Sequence, residues 1–144
     1  MHFKIEIINT SNPLYTQELE LRDIVLRQPL GLSIKNDDLS KEGDWFHFVA
    51  IVNDKVIGVV VLTPDEQYGK LRQMAVSEEF QGMAIGKKLV KSLETHALVN
   101  GIKTVKLNAR HYAVGFYEKL GYSKTEKPIF QEVGIDHYEM VKYL

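Results

Sequence analysis

Apolar and polar positions alternate from the start of the chain. Phe3, Ile5 and Ile7 alternate with His2, Lys4 and Glu6, which predicts a half-buried first strand. Asn12-Pro13 marks a helix start, because the missing proline N–H would be orphaned there in any case. Tyr15, Leu19, Leu21, Ile24, Val25 and Leu26 give that helix a broad apolar face up to about Arg27, and Gln28-Pro29-Leu30-Gly31 stops it. The periodicity then fades. Residues 32–44, LSIKNDDLSKEGD, read as a solvated loop with room for a short helix at Asp38–Lys41.

Strand patterns come next. Trp45–Val52 and Lys55–Thr63 are β-rich runs around Asn53-Asp54, a dipeptide suited to a tight hairpin. Pro64–Tyr68 forms the next turn, and Lys70–Val76 is a further strand. Ile85, Leu89, Val90, Leu93 and Ala97 recur at helical spacing until Asn100-Gly101 ends the helix. Val105 and Leu107 lie in a short strand, Thr104–Asn108, and a compact helix spans about Ala113–Leu120 with Gly121 at its end. Two strands remain, near Tyr122–Ile129 and His137–Tyr143, separated by Glu132-Val133-Gly134. The order is βαβββαβαββ. The stretch from Lys70 to Asn108 must be a right-handed parallel crossover, and the hairpins make the rest antiparallel. The expected fold is α/β (α+β): a mixed, mostly antiparallel central sheet with helices on both faces.

Composition narrows the function classes. With 144 residues, 44% hydrophobic, the chain reads as one domain over residues 1–144 with enough length for a real core. A formal net charge of −1 favours neither nucleic acid nor an anionic membrane. The absence of cysteine excludes a disulfide framework and a thiol nucleophile, and fits the cytoplasm. MHFKIEIINT is too short and too alternating for a signal peptide, and no apolar run reaches membrane-spanning length. His2, His47, His96 and His111 show no metal-ligand spacing, so no metal is expected.

One stretch carries candidate chemistry. Gln81-Gly82-Met83-Ala84-Ile85-Gly86, then Lys87 and Lys88, sits between a strand and a helix that starts at about Ala84. Small residues let the backbone turn tightly, and the positive end of the helix dipole points at the same spot. Such a junction suits an anion, and phosphate is the usual one. The loop lacks the Gly-Lys-Ser/Thr ending of a nucleotide P-loop and the spacing of GxGxxG. On spacing alone, the glycines need serve only the turn.

Two segments, taken in order, resemble a known family. Gln81-x-x-Ala84-x-Gly86 after LRQMAV looks like the acetyl-CoA signature Gln/Arg-x-x-Gly-x-Gly/Ala of the GCN5-related N-acetyltransferases (GNAT). Asn108–Tyr122, NARHYAVGFYEKLGY, is similar to the closing motif of that family. Ala84 departs from the pattern at a position usually held by glycine. That costs little in a first helical turn unless φ is positive.

The resemblance implies a GNAT-like fold in which the pantetheine arm of coenzyme A lies between two splayed strands. It implies an acetyl-CoA-dependent N-acetyltransferase that passes the acetyl group directly to a primary amine of a small molecule, peptide or protein. A non-catalytic acyl-CoA-binding sensor or regulatory module is the alternative. The backbone of Gln81, Gly82, Met83, Ala84, Ile85, Gly86, Lys87 and Lys88 would grip the pyrophosphate, and that of Met74, Ala75 and Val76 the pantetheine. Tyr117 matches the family's general acid, with a buried core aromatic as the plainer reading. Asn108 would bond the pantetheine or the acceptor, or merely end its strand, and Phe116 would pack under the cofactor. The strand Lys70–Val76 carries no carboxylate to serve as base. Glu132 and His137, in FQEVGIDHYEM, are similar to a subgroup pattern and would line the acceptor side as catalytic residues; a terminal-strand histidine is otherwise structural. Asp37 and Asp38, in the loop that overhangs the acceptor pocket in relatives, would attract a cationic amine. Exposed final strands suggest a homodimer by analogy with relatives.

Overall fold

The computed structural model describes residues 2–65 and 67–144. Its strands are β1 (Lys4–Ile8), β2 (Phe46–Val52), β3 (Lys55–Pro64), β4 (Gly69–Val76), β5 (Thr104–Arg110), β6 (Ser123–Lys124), β7 (Phe130–Glu132) and β8 (Ile135–Tyr143). The helices are α1 (Leu14–Arg22), α2 (Ile85–Val99) and α3 (Val114–Lys119), with short 3₁₀ turns between. The strands form one eight-stranded sheet in the order β1-β2-β3-β4-β5-β8-β6, with β7 also on β8. Only β4 and β5 run parallel, as the intervening α2 crossover requires.

The sheet is covered on both faces. Phe48, Val60, Leu62 and Leu71 pack under Ile85, Leu89 and Leu93 of α2. Val49, Val59, Val61 and Ala75 pack on the other face beneath Leu21, Val25 and Leu26. β3 sits between the two layers, which is why its sequence is apolar almost without alternation. Asn53 and Asp54 both take positive φ, 49° and 63°, in the β2–β3 turn, the backbone twist that a two-residue hairpin needs. Among the described residues no helix is long and apolar enough to cross a membrane.

Several expected boundaries move. The first helix is α-helical only to Arg22; Asp23–Arg27 form a π turn, and Gln28–Leu30 a 3₁₀ turn closed by Gly31 at φ 72°. Asp38–Lys41 forms no helix; short 3₁₀ turns occupy Ile34–Asn36 and Glu42–Asp44 instead. The expected strand Tyr122–Ile129 shrinks to Ser123–Lys124, since the following Thr-Glu-Lys-Pro is polar and ends in a residue with no N–H to give a ladder. A hairpin replaces the rest: β7 and β8 pair across Val133-Gly134, and β8 starts two residues earlier than expected, at Ile135. In β1 the buried isoleucine is Ile8, whereas Ile7 on this edge strand stays 50% exposed. β8 is paired on one side with β5 and on the other with β6 and β7.

A buried ionic cluster fastens α1 to the segment before β2. Arg22 and Glu18 are fully buried, His47 likewise, and Glu42 is 2% exposed. The Arg22 guanidinium donates to both Glu42 oxygens (2.7 and 2.7 Å) and to Glu18 Oε2 (2.9 Å). Tyr15 donates its hydroxyl hydrogen to Glu42 Oε1 at 2.8 Å. His47 Nδ1 meets Glu18 Oε2 at 2.8 Å, and Nε2 meets the Glu42 carbonyl at 2.9 Å. A carbonyl and an ionised carboxylate can only accept, so both ring nitrogens donate and His47 is an imidazolium. Two negative and two positive groups then balance. Glu18, Glu42 and His47 lie close enough together to suit a cation. Arg22 and the imidazolium already balance the two carboxylates, however, and an imidazolium has no lone pair to offer a metal.

Candidate active site

β4 and β5 pair over Gly69–Leu71 and Val105–Leu107, then separate. The cause is a bulge in β4. The β3 register shifts between Val59 and Val61, and Gln73 takes φ 56°, so β4 bends away from its parallel neighbour. Past the bulge, Ala75 and Val76 remain paired to β3, and the opposite edge of Met74–Val76 is open. The gap belongs to a cavity of about 640 Å³ lined by Met74–Val76, Asn108–Arg110, Phe116 and Tyr117.

The head of α2 closes one end of this gap. None of the backbone N–H groups of residues 82–87 donates a hydrogen bond among the described residues, and α2 has no side-chain cap. A run of orphan donors at a helix N-terminus is an anion cradle. Gly82 has φ 80°, and a Cβ there would meet nothing within 4 Å, so the loop leaves room for a group to approach. Gln81 Nε2 donates to the Val76 carbonyl at 3.0 Å and ties the loop to the end of β4. Gln81, Gly82, Ala84, Ile85, Gly86 and Lys87 line the cavity; the side chains of Met83 and Lys88 do not. Met83 is half exposed, and Lys88 Nζ turns away over the Phe3 ring, 5.1 Å from its centroid.

Ala84 precedes the helix with φ 63° and ψ 16°. That is the positive φ under which alanine is costly. Left-handed backbone penalises a Cβ by roughly 1–2 kcal/mol, while glycine loses roughly 0.4–1 kcal/mol through its freer unfolded chain. Ala84→Gly is therefore expected to stabilise the fold by about 0.5–1 kcal/mol, read as a higher urea midpoint at unchanged slope. A lower midpoint would show that the strain is relieved elsewhere.

Tyr117 and Phe116 stand on the wall opposite the loop. Tyr117 is 6% exposed and packs edge-on to Phe116 and Tyr122, at 5.0 and 5.9 Å between centroids. Its hydroxyl has no hydrogen-bond partner among the described residues, and burial pushes the phenol above its ordinary value. Gly86 lies against Phe116: a Cβ there would sit 3.2 Å from Phe116 Cζ.

The other side of the gap gathers polar groups from three strands. Asn108 Nδ2 donates to Glu132 Oε1 at 3.0 Å. His137 is 4% exposed, and its Nδ1 lies 2.8 Å from the Ile135 carbonyl. A carbonyl only accepts, so Nδ1 carries the hydrogen and Nε2 is left to face Glu132 Oε2 at 3.7 Å. Asn108, Glu132 and His137 thus meet in the cavity wall. The Val133 turn beside them takes φ 47°, an unusual state for a β-branched residue.

Other parts of this wall carry no signal in the residue pattern. Val25, Leu26 and Arg27 from the π turn line the cavity, as do Gln73, Lys70, Arg72 and Arg110. Arg110 belongs to β5 because the strand runs two residues past Asn108. It donates to the Leu26 carbonyl at 3.0 Å, joining β5 to the π turn. Asp37 and Asp38 do not line the cavity. Both Asp37 oxygens accept from Arg27, at 3.0 and 2.8 Å, and Asp38 accepts from the Ser40 N–H. Asp37 is thus paired with Arg27 rather than free for a cationic amine.

The acetyltransferase (GNAT) domain family matches residues 28–144. The chain is 32% identical to the uncharacterized N-acetyltransferase YjcF of Bacillus subtilis (strain 168) over 106 residues, 74% of each chain. It is 30% identical over 134 residues to the uncharacterized N-acetyltransferase YitI of the same organism, covering 87% of this chain and 89% of that one. Among solved structures it is similar to an acyl-CoA N-acyltransferase from Pseudomonas aeruginosa, with TM-score 0.84, 18% identity, and 98% and 99% of the two chains covered. An aminoglycoside 6′-N-acetyltransferase complexed with coenzyme A superposes with TM-score 0.78 at 18% identity, over 97% and 96% of the chains. Family match and site geometry agree: the chain belongs to the GNAT family and is an acetyltransferase.

Proposed function

We propose that this acetyltransferase uses acetyl-CoA and transfers the acetyl group directly to a primary amine. The carrying observation is the run of N–H groups at residues 82–87 that donate to nothing among the described residues, set at the mouth of the open β4 edge. Acetyl-CoA, once bound, would supply a thioester carbonyl activated toward amines, with the coenzyme A thiol as leaving group. The loop N–H groups hold the pyrophosphate charge, assisted by the α2 dipole and Lys87. The open backbone edge of Met74–Val76 takes the amides of the pantetheine as a strand would and polarises the thioester carbonyl. Tyr117 donates to the departing sulfur. His137 Nε2 receives the proton of the amine, held in orientation by the Nδ1 bond to Ile135. Asn108 keeps Glu132 beside that nitrogen. No cysteine is available to relay the acetyl group, and direct attack needs no enzyme-bound intermediate. A cytoplasmic setting fits the same cysteine-free composition.

Thermal unfolding with and without acetyl-CoA tests this reading. At about a hundred times its Kd a ligand stabilises by ~2.7 kcal/mol, several degrees for a domain of this size. In Gly86→Glu the new side chain meets Phe116 and brings a carboxylate to the anion cradle. That variant is expected to fold and show no rise with acetyl-CoA. If saturating acetyl-CoA leaves the wild-type midpoint unmoved, the proposal fails.

A further inference from the structure

The α1-side face of the site gathers three cations that form no ion pair among the described residues. Lys70 and Arg72 lie opposite Thr63 and Val61 of β3, which puts both side chains on the face covered by the π turn. Lys70 is level with Lys106 of β5, and Arg110, two strand repeats further along, faces that side too, opposite His137. Lys70, Arg72, Arg110 and His137 all line the cavity. None of the three cations forms an ion pair among the described residues. Arg72 Nε donates only to Thr63 Oγ1, at 3.3 Å, with its guanidinium 5.6 Å from the Trp45 ring centroid. Arg110 donates to Tyr112 Oη and the Leu26 carbonyl, both neutral. Lys70 Nζ makes no hydrogen bond among the described residues. Burial and then the neighbouring Arg72 push its ammonium below its ordinary value, against weaker support from Glu132 and Glu139. Those two acids are engaged elsewhere, by Asn108 and Thr125.

Half-buried like charges two residues apart on one strand face repel, and folded proteins pair such charges or ligate something with them. Coenzyme A phosphates do not account for them. The cradle for phosphate follows the far end of β4, about 20 Å along the strand from Lys70. Building on the amine-acetylating reading above, we propose that the acceptor carries an anionic group, a carboxylate or a phosphate, besides its amine. Lys70 and Arg72 hold the anion while the amine lies toward His137 Nε2. Such an acceptor is an amino acid or a phosphorylated amine. Polyamines and other polycations meet repulsion at the same wall.

Matched probes test this. Phenylalanine against phenethylamine isolates a carboxylate, and O-phosphoethanolamine against ethanolamine isolates a phosphate. In the wild type the anionic member of at least one pair is expected to lead in kcat/KM by about tenfold or more. The pair that shows the preference identifies the anion. In Arg72→Gln and Lys70→Gln that preference should collapse through KM, with kcat little changed. The rise in midpoint with acetyl-CoA should persist in both variants. Neutral probes acetylated as well as their anionic partners would overturn the inference. So would a preference that survives both variants, or failure of both anionic probes to raise the midpoint of the CoA-saturated protein. Loss of the acetyl-CoA rise in the wild type is a different result: it removes the functional reading beneath the inference.

Discussion

Arg22→Met is expected to destabilise the fold by about 3–5 kcal/mol, read from the urea midpoint. The side chain it removes is wholly buried and donates to Glu42 twice and to Glu18 once. Methionine restores much of the volume and none of the charge. Two buried carboxylates would then share one imidazolium, and an unpaired buried charge is among the costliest defects a core can hold. A domain of this kind has only about 5–15 kcal/mol in total. Converting Glu18, Glu42 and His47 to apolar residues as well should recover much of the loss, because well-packed apolar groups replace buried ion networks at little cost. A loss below about 1 kcal/mol for Arg22→Met would mean that water reaches the cluster. The same cluster sets a pH dependence. Burial opposes the charge on His47, but the Glu18 bond and charge and the Glu42 carbonyl outweigh it, so its pKa is raised. Its contribution is full below the unfolded histidine value, near 6.5, and is lost as pH rises through the folded one. Burial likewise opposes the Glu42 charge, and Arg22 outweighs it, so that pKa is lowered. Its contribution is present above the unfolded carboxylate value and lost as pH falls through the folded one. Stability should therefore peak on the acid side of neutrality, and His47→Gln should flatten the alkaline limb.

This cluster shows where sequence reasoning stops. Glu18 and Arg22 sit one helical turn apart within a stretch that reads as an ordinary amphipathic helix. Glu42 and His47 lie in and just beyond a polar loop. Nothing in either stretch says that their charges meet, because the contact is tertiary and spans residues 18–47. The elements with strong local grammar are legible: the Asn53-Asp54 hairpin, the α2 periodicity and the obligatory β4–α2–β5 crossover. Where local grammar is weak, expectation and structure part. Polar residues ending at Pro128, which has no N–H to give, do not sustain a strand, and a two-residue turn at Val133-Gly134 folds β7 and β8 into a hairpin.

The site divides the same way. The strand-loop-helix order and its glycines are legible in the chain, and the structure shows orphan N–H groups there; on spacing alone the same glycines need serve only the turn. The polar wall facing that loop is built from side chains that meet only because β4 bulges at Gln73 and β5 runs on to Arg110. A glutamine at positive φ leaves no mark in a sequence. Nor does the π turn that brings Val25–Arg27 to the wall. Ala84 is legible as a departure from the family pattern, but its positive φ is not.

Tyr117→Phe should lower kcat roughly ten- to a thousandfold, the range for loss of a general acid, while acetyl-CoA still raises the unfolding midpoint. The phenol is buried against Phe116 and Tyr122, and burial holds it above its ordinary pKa near 10. It therefore stays protonated around neutral pH, as the proposed acid must be before each turnover. Because the hydroxyl makes no hydrogen bond among the described residues, its removal leaves no partner stranded. The midpoint of Tyr117→Phe without ligand should stay within about 0.5 kcal/mol of wild type. The two readouts separate the roles: a core aromatic with no chemical role would leave kcat alone, and a damaged fold would lose both. His137→Gln probes the base side. It should lower kcat while acetyl-CoA still raises the unfolding midpoint, which would place the loss on the amine side of the reaction. Equal turnover in wild type and Tyr117→Phe would remove the phenol from the mechanism and leave the departing sulfur to be protonated by water.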